Sequence, residues 1–370
     1  MGDALRQQPP LRIGVVGTGQ ISGAYLRTFR VLPELSVTAV ADLDQSRATA
    51  VAAAVPGTRA LTTKELYAAE DIDLVLNLTV PAAHADVAHA AISAGKHVYG
   101  EKPLASTTAE ARAVLAAADA AGVRVGCAPD TVLGTGVQTA RAVLDTGRLG
   151  TPVAATAFMV TPGHEHPAPE FYYQRGGGPL FDMGPYYLSA LVTLLGPVRA
   201  VSGMASTSRP VRTVGSGPRA GSEFPVEVAT HVTGVLEHES GALSTLVMSF
   251  DVWAADLPRI EVYATGGSLS VPDPNGFDGP VRLFDPGVGH WQDVPVRGGY
   301  VGADRGFGVA DLARALTDGT EHRASGELAF HVLEIMECLL TSARTGRSTT
   351  VTSEGERPAA VPLQPLPEPG

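Results

Sequence analysis

The stretch from Leu11 to Gly23 reads Leu-Arg-Ile-Gly-Val-Val-Gly-Thr-Gly-Gln-Ile-Ser-Gly, a pattern suited to cradling a dinucleotide. Gly17 permits a tight turn after an apolar strand, and Gly19 puts no side chain between backbone and pyrophosphate. Gln20 and Ile21 then open a helix whose unpaired N–H groups and partial positive charge attract an anion. The third small position is Ser22 rather than Gly or Ala, and Gly23 follows it, so close helix–strand packing stays possible. Asp42 ends the next apolar run, where a carboxylate can accept hydrogen bonds from both ribose hydroxyls. Its charge repels the extra phosphate of NADP and favours NAD; Arg47 is near enough in sequence to leave NADP open.

In an open α/β sheet, ligands bind beyond the carboxyl ends of the strands. Three further stretches are expected there: Thr79-Val80-Pro81-Ala82-Ala83-His84, Glu101-Lys102-Pro103, and the run Gly176 to Tyr186 entering a helix. A lysine at a strand end can hydrogen-bond a substrate hydroxyl and stabilise a developing alkoxide. Glu101 beside it reads as a group orienting Lys102 or the nicotinamide amide. Asp182 and Tyr186 stand at i and i+4, so on a helix both face one cavity. His164 and His166, with Tyr172 and Tyr173, suit a cleft for a sugar, whose faces are apolar and whose edge is hydroxyl. Asp130 and Trp253 are further candidates for that pocket, although Trp253 suits a core equally well. The His164-Glu165-His166 triplet lacks a cysteine or a third spaced histidine, so no metal is expected. His331 lies among Val332, Leu333 and Ile335 and reads as a satisfied core histidine.

These groups need rigid elements to hold them. From Leu11 the chain alternates short apolar strands with helices: strands at 37–42, 72–80, 96–99 and 123–126, and helices at 20–31, 45–55, 63–69, 84–94 and 108–121. Such β-α repeats predict an α/β domain, a doubly wound parallel sheet over 11–128. After Cys127 the pattern changes to longer alternating runs with hairpin-like connections, at 152–160, 198–205, 228–237, 242–250, 260–264 and 281–284. Helices are expected at 136–145, 186–195, 304–318 and 326–343. The second domain, 129–353, is thus an α+β unit: an open, mostly antiparallel sheet with helices on one face. Residues 1–10 read as a flexible leader, 206–224 as a surface loop, and the proline-rich 354–370 as an extended tail.

At 370 residues the chain exceeds one typical core. A formal charge of −11 argues against a nucleic-acid partner. Two cysteines suggest a reducing compartment, and no apolar run reaches membrane-spanning length. The first ten residues have no apolar signal segment, so a cytoplasmic location is expected.

Taken together, Gly17-Thr-Gly19, Thr79-x-Pro81-x-x-His84, the run Ala94 to Ala105 and the GGGxLxDxG run ending in Tyr186 resemble the Gfo/Idh/MocA oxidoreductase family across about residues 11–350. The resemblance implies a nicotinamide cofactor, polyol or sugar-like substrates, and a homodimer or homotetramer formed through the open face of the second sheet. It places the family's catalytic lysine on Lys102 and implies a cis bond at Pro103, which would fix where Lys102 points. The family's proton-exchanging residue stands four after the Asp, often as His; here it is Tyr186. A free tyrosine titrates near 10 and is a poor base, but an ammonium beside it stabilises the phenolate. On this reading Tyr186 exchanges the hydroxyl proton, Asp182 positions the substrate, and Lys102 and Tyr186 meet over one nicotinamide ring. The resemblance also admits a redox-neutral lyase or glycosidase, in which NAD oxidises a sugar transiently before elimination. A non-catalytic ligand sensor on the same fold is a third reading.

Overall fold

The computed structural model describes residues 9–164 and 166–365; most of the leader, Glu165 and the end of the tail lie outside them. Among the described residues the α-helices are α1 (Ser22–Phe29), α2 (Gln45–Ala54), α3 (Thr63–Ala68), α4 (His84–Ser93), α5 (Thr108–Ala121), α6 (Thr135–Asp145), α7 (Gly178–Leu195), α8 (Phe307–Asp318) and α9 (Gly326–Thr345). Two compact units form, 9–130 with Asp304–Gly326, and Thr131–Ala303 with Glu327–Pro365.

The first unit is built on six strands: β1 (Leu11–Val16), β2 (Leu35–Ala41), β3 (Arg59–Ala60), β4 (Leu74–Asn77), β5 (His97–Gly100) and β6 (Val125–Cys127). All pair in parallel, in the order β3-β2-β1-β4-β5-β6. The order reverses between β1 and β4, which opens a crevice at their carboxyl ends. The strands are buried on both faces, with Ile13, Val15, Leu74, Val75 and Leu76 inaccessible to solvent. That explains their continuous rather than alternating apolar character. Thr107 and Glu110 form a reciprocal capping box at α5, and Gly122 in the left-handed region ends it.

α8 and its flanks, expected within 129–353, group with the first unit. β6 is an edge strand, and an uncovered edge invites pairing. Ser325 bridges Gly126 antiparallel, Cys127 N–H donates to Ala324 O at 3.0 Å, and Arg124 donates to Thr320 O at 2.5 Å. Residues 304–326 thus close an edge that lies about 200 positions earlier in sequence.

The second unit carries β7 (Pro152–Val160), β8 (Val198–Ser206), β9 (Val211–Thr213), β10 (Glu223–Pro225), β11 (His231–His238), β12 (Leu243–Ser249), β13 (Ile260–Ala264), β14 (Gly267–Val271), β15 (Val281–Phe284), β16 (Trp291–Val294) and β17 (Thr349–Thr350). Nine of these form one sheet, β16-β15-β14-β13-β7-β12-β11-β8-β17, antiparallel except between β7 and β12. β11 alternates strictly, with Val232, Gly234, Leu236 and His238 inward. Each buried Val or Leu contributes roughly 1.5–3 kcal/mol, so a one-residue slip against β12 is strongly disfavoured. α9 packs on the inner face where Gly203 and Gly234 make room for Leu339.

Two expectations change here. The 206–224 segment is not a bare loop: β9 and β10 pair within it and carry Arg212 into the interior. The tail is extended but anchored, with Val361 buried, its N–H on Gln138 Oε1 at 2.8 Å, and Arg357 on Asp145 at 2.7 Å.

Candidate active site

The candidate cofactor-binding residues stand at the carboxyl ends of β1, β2, β4 and β5. Gly17 has φ +96°, and a Cβ there would lie 2.6 Å from Leu78 O, so only glycine lets β1 turn against β4. At Gly19 a Cβ would meet nothing within 4 Å, which leaves open space against the backbone. α1 starts at Ser22, two residues later than expected from Gln20, and the Ile21 cap offers its N–H groups no side-chain acceptor. Open space, an uncapped helix start and no acid in its first turn fit a dinucleotide pyrophosphate. Gln20 and Ile21 lie in the turn itself.

Asp42 braces that turn. Its Oδ2 accepts from Thr18 N at 2.7 Å and Thr18 Oγ1 at 2.8 Å, and its Oδ1 from Asp44 N at 2.9 Å. Partial burial works against its charge, but these hydrogen bonds and Arg47 hold the carboxyl below its ordinary value. It is therefore a carboxylate throughout the neutral range.

Thr79, Pro81 and His84 follow β4. His84 is buried and reaches Pro103 O with Nδ1 at 2.6 Å and Thr79 O with Nε2 at 3.1 Å. Both ring nitrogens are thus engaged in tying the β4 loop to the β5 loop. Burial keeps it neutral by lowering its pKa. Thr79 Oγ1 donates to Asn77 Oδ1 at 2.6 Å, which shapes the same loop.

Glu101 and Lys102 follow β5. Glu101 N–H donates to Asn77 O at 2.9 Å, and Lys102 N–H to Glu101 Oε2 at 3.1 Å. Glu101 Oε1 accepts from Tyr25 Oη at 2.9 Å. Tyr25 is fully buried on α1, and burial with the charge of Glu101 raises its pKa well above 10, so it donates as a neutral phenol. Tyr25 carried no functional reading in the sequence. The missed signal was its hydroxyl, which needs a partner once buried. The Lys102–Pro103 bond is cis, as expected, and so is Ala128–Pro129.

Asp130, a candidate for the substrate pocket, is engaged instead with the start of α8. It is 1% exposed, and its Oδ2 accepts from Gly306 N at 2.8 Å and Gly308 N at 2.9 Å, pinning the start of α8. Its Oδ1 has no hydrogen-bond partner. Burial pushes its pKa up to about 6, against the pull of the two N–H groups. A folded pKa above the ordinary 3.8 means the protonated form is favoured by folding, so this stability is full at low pH and fades as pH rises toward about 6. By that shift, Asp130→Asn should gain on the order of 2 kcal/mol relative to the parent between pH 4 and pH 7. Urea unfolding of both proteins at the two pH values checks this; a constant difference would refute it.

The candidate substrate-binding residues of the second unit lie on α7 and the loop after β7. α7 begins at Gly178, eight residues before the expected start, and carries both Asp182 and Tyr186. It is apolar nearly all round and accordingly buried. Tyr186 is 7% exposed. Gly163, φ +93°, lets the loop after β7 descend onto Tyr173: a Cβ would stand 2.3 Å from its hydroxyl. His164 N–H then donates to Tyr173 Oη at 2.9 Å. Its ring stacks on Tyr172 with centroids 3.8 Å apart and meets the edge of Phe250 at 5.0 Å. Its Nε2 lies 3.5 Å from Asp182 Oδ2, an ion-pair distance. His166 stands 5.8 Å from His164, ring to ring, and also against Tyr172.

Arg212 supports this loop and was missed. Its guanidinium is stacked over Tyr173 at 4.8 Å and donates to Pro162 O at 2.9 Å, to Phe250 O at 2.6 Å and to Asp251. Trp253 is exposed, not core, with Arg209 over its ring at 6.0 Å. His331 is buried and satisfied as expected, on Val198 N and Ser353 Oγ, and burial lowers its pKa to about 4. Among the described residues no three His, Cys, Asp or Glu stand close enough to hold a metal ion. No described helix is long and apolar enough to cross a membrane.

Two family models match the chain. Residues 11–128 match an oxidoreductase family with an NAD-binding Rossmann fold, and residues 137–270 match the GFO/IDH/MocA C-terminal domain. Inositol 2-dehydrogenase 3 of Saccharopolyspora erythraea is 33% identical over 168 residues, 44% of this chain and 48% of that protein. A dTDP-3,4-didehydro-2,6-dideoxy-alpha-D-glucose 3-reductase of Streptomyces antibioticus is 33% identical over 199 residues, 51% and 58% of the two chains. The chain spans about half the length of the curated relatives it matches. An NAD binding oxidoreductase from Klebsiella pneumoniae shares the fold with a TM-score of 0.82 at 23% identity, over 93% of this chain and 100% of that one.

Proposed function

Because the chain belongs to the Gfo/Idh/MocA oxidoreductase family, we propose that it moves a hydride between a nicotinamide cofactor and a hydroxyl or ketone carbon of a sugar, sugar derivative or cyclitol. The observation that carries this reading is the tie between α1 and the end of β5, where Tyr25 holds Glu101 and Lys102 follows. Helix and lysine are thereby fixed in one frame, the arrangement a phosphate cradle and a charge-stabilising cation both require. Relatives named for inositol and for a nucleotide-linked keto sugar support the substrate class.

The bound cofactor supplies the hydride acceptor or donor. Gly17, Gly19, Gln20 and Ile21 bind its pyrophosphate, and Asp42 its ribose. Lys102 donates a hydrogen bond to the reacting oxygen and stabilises it as an alkoxide. Asp182 orients the substrate and Tyr186 exchanges the hydroxyl proton. His164, His166 and Tyr172 line the sugar's faces. No observation favours the elimination route. We place the enzyme in the cytoplasm as a homodimer or homotetramer. Met204, Val235 and Leu243 stand exposed on adjacent strands of the outer sheet face, which supports assembly there.

The test is a screen of myo-inositol, D-glucose, methyl β-D-glucoside and dTDP-glucose with NAD and NADP, following reduced cofactor by absorbance, with Lys102→Ala as control. No turnover with any of these, or equal turnover by the control, would refute the reading. Asp42 should set cofactor choice. Asp42→Asn is expected to weaken NAD binding roughly tenfold, or about 1.4 kcal/mol, and to shift preference toward NADP. Titration by fluorescence checks this. An unchanged NAD to NADP ratio would remove Asp42 from cofactor selection.

A further inference from the structure

We propose that His164, paired with Asp182, is the outlet through which the proton of each hydride transfer reaches solvent; this rests on the oxidoreductase reading above. Oxidation of a hydroxyl sets free one proton for every hydride. A group as buried as Tyr186, 7% exposed, cannot hand that proton to water by itself. Asp182 is one turn away on α7, with its side chain 14% exposed. His164 follows with its side chain 34% exposed and Nε2 at 3.5 Å from Asp182 Oδ2. The three form a gradient from the buried phenol to the surface, and it ends on an imidazole, the side chain best suited to take and give a proton near neutral pH.

The ring is placed, not merely tolerated. Tyr172 stacks on one face, Phe250 meets it edge-on, and His166 is the other titratable ring beside it. Its backbone hangs on the Tyr173 hydroxyl, and Arg212 holds both the Tyr173 ring and Pro162 O. A sugar contact alone does not require a histidine aimed at the carboxylate.

The substrate carbon gives up its hydrogen with two electrons, and the nicotinamide accepts them. The hydroxyl O–H bond breaks, and its proton passes over Tyr186 and Asp182 to His164 Nε2. The imidazolium, stabilised by the Asp182 carboxylate, releases one proton to water. In ketone reduction the same route runs inward.

The experiment uses the full chain with His164→Asn and His164→Ala, on whichever of the four screened compounds turns over. In His164→Asn, kcat should fall on the order of 10²-fold, well beyond any rise in KM from the lost sugar contact. The primary isotope effect from a carbon-deuterated substrate should fall toward unity, because proton release then limits turnover. In His164→Ala, added imidazole should raise kcat in proportion to its concentration, while Tris at the same pH and ionic strength should not. Melting temperature and calorimetric NAD binding should match the parent in both variants; if either variant melts early, the other carries the test. A kcat near the parent's in His164→Asn, or a loss that imidazole does not repair, would overturn the proposal. With Lys102→Ala inactive, that result would leave the oxidoreductase reading standing. Absence of turnover by the parent with all four compounds would bring down both.

Discussion

Lys102→Ala is expected to lower kcat by on the order of 10³-fold while leaving the fold and most of the NAD affinity in place, because a single preorganised donor at a developing oxyanion is worth about that much. The side chain's role separates from that of its backbone. Lys102 N–H is held by Glu101, Glu101 by Tyr25 and by Asn77, and Pro103 O by His84. None of these bonds uses the ammonium, so they persist in the alanine variant while the charge is lost. The loss should appear in kcat and kcat/KM together, the pattern of an interaction made mainly in the transition state. Lys102→Arg should recover little, since a planar guanidinium cannot replace a compact ammonium aimed at one oxygen. Steady-state kinetics with calorimetric NAD titration decides the matter. A Lys102→Ala enzyme that kept more than about a tenth of kcat would lack the expected oxyanion donor.

By contrast, Tyr25→Phe should act more mildly through the same frame. It leaves Glu101 Oε1 without its buried donor, at a cost of about 1–3 kcal/mol. That difference also marks what the sequence could reveal. The strand-end placement of Gly17, Gly19, Asp42 and Lys102 was legible because each follows a short apolar run at a fixed offset. The partners of Tyr25, His84 and Asp130 were not legible because the main ones lie far off in sequence. Asp130 reads as a pocket acid until Gly306 and Gly308 donate to it. The Ile72 to Val80 run looked like one long strand, yet only Leu74–Asn77 pairs as β4, since Leu78 lies against Gly17 and Thr79 turns away. α7 was shortened because Gly176 to Pro185 is dense in residues that break helices. Pro179 at its first turn instead begins one, where its missing N–H costs nothing. The covering of β6 by residues 324–326 has no local signal at all: it satisfies an edge, and edges exist only after the sheet has formed.

Arg212 gives the second large effect, and it lies in a segment whose Gly, Ser, Pro and Arg content reads as surface. Its side chain is 5% exposed and pairs with Asp251, 12% exposed, while also satisfying Phe250 O and Pro162 O. Arg212→Met fills similar volume but strands a buried carboxylate and two carbonyls, so it should destabilise the protein by about 3–5 kcal/mol. Thr230 Oγ1 still donates to Asp251 Oδ2, which moderates the loss without replacing a charge. Adding Asp251→Asn removes the stranded charge, and the double variant should regain part of that loss; this coupling separates an ion-pair effect from simple repacking. The damage should also reach the site. Without the guanidinium over its ring, Tyr173 loses one of its anchors, and with it His164 loses the hydroxyl that its N–H engages. Turnover measured well below the melting transition should therefore fall together with stability in Arg212→Met. Denaturant unfolding of both single variants and the double variant, with kinetics on each, tests this. Parent-like stability in Arg212→Met would mean that the buried pair contributes nothing and that the loop bearing His164 is held by other contacts.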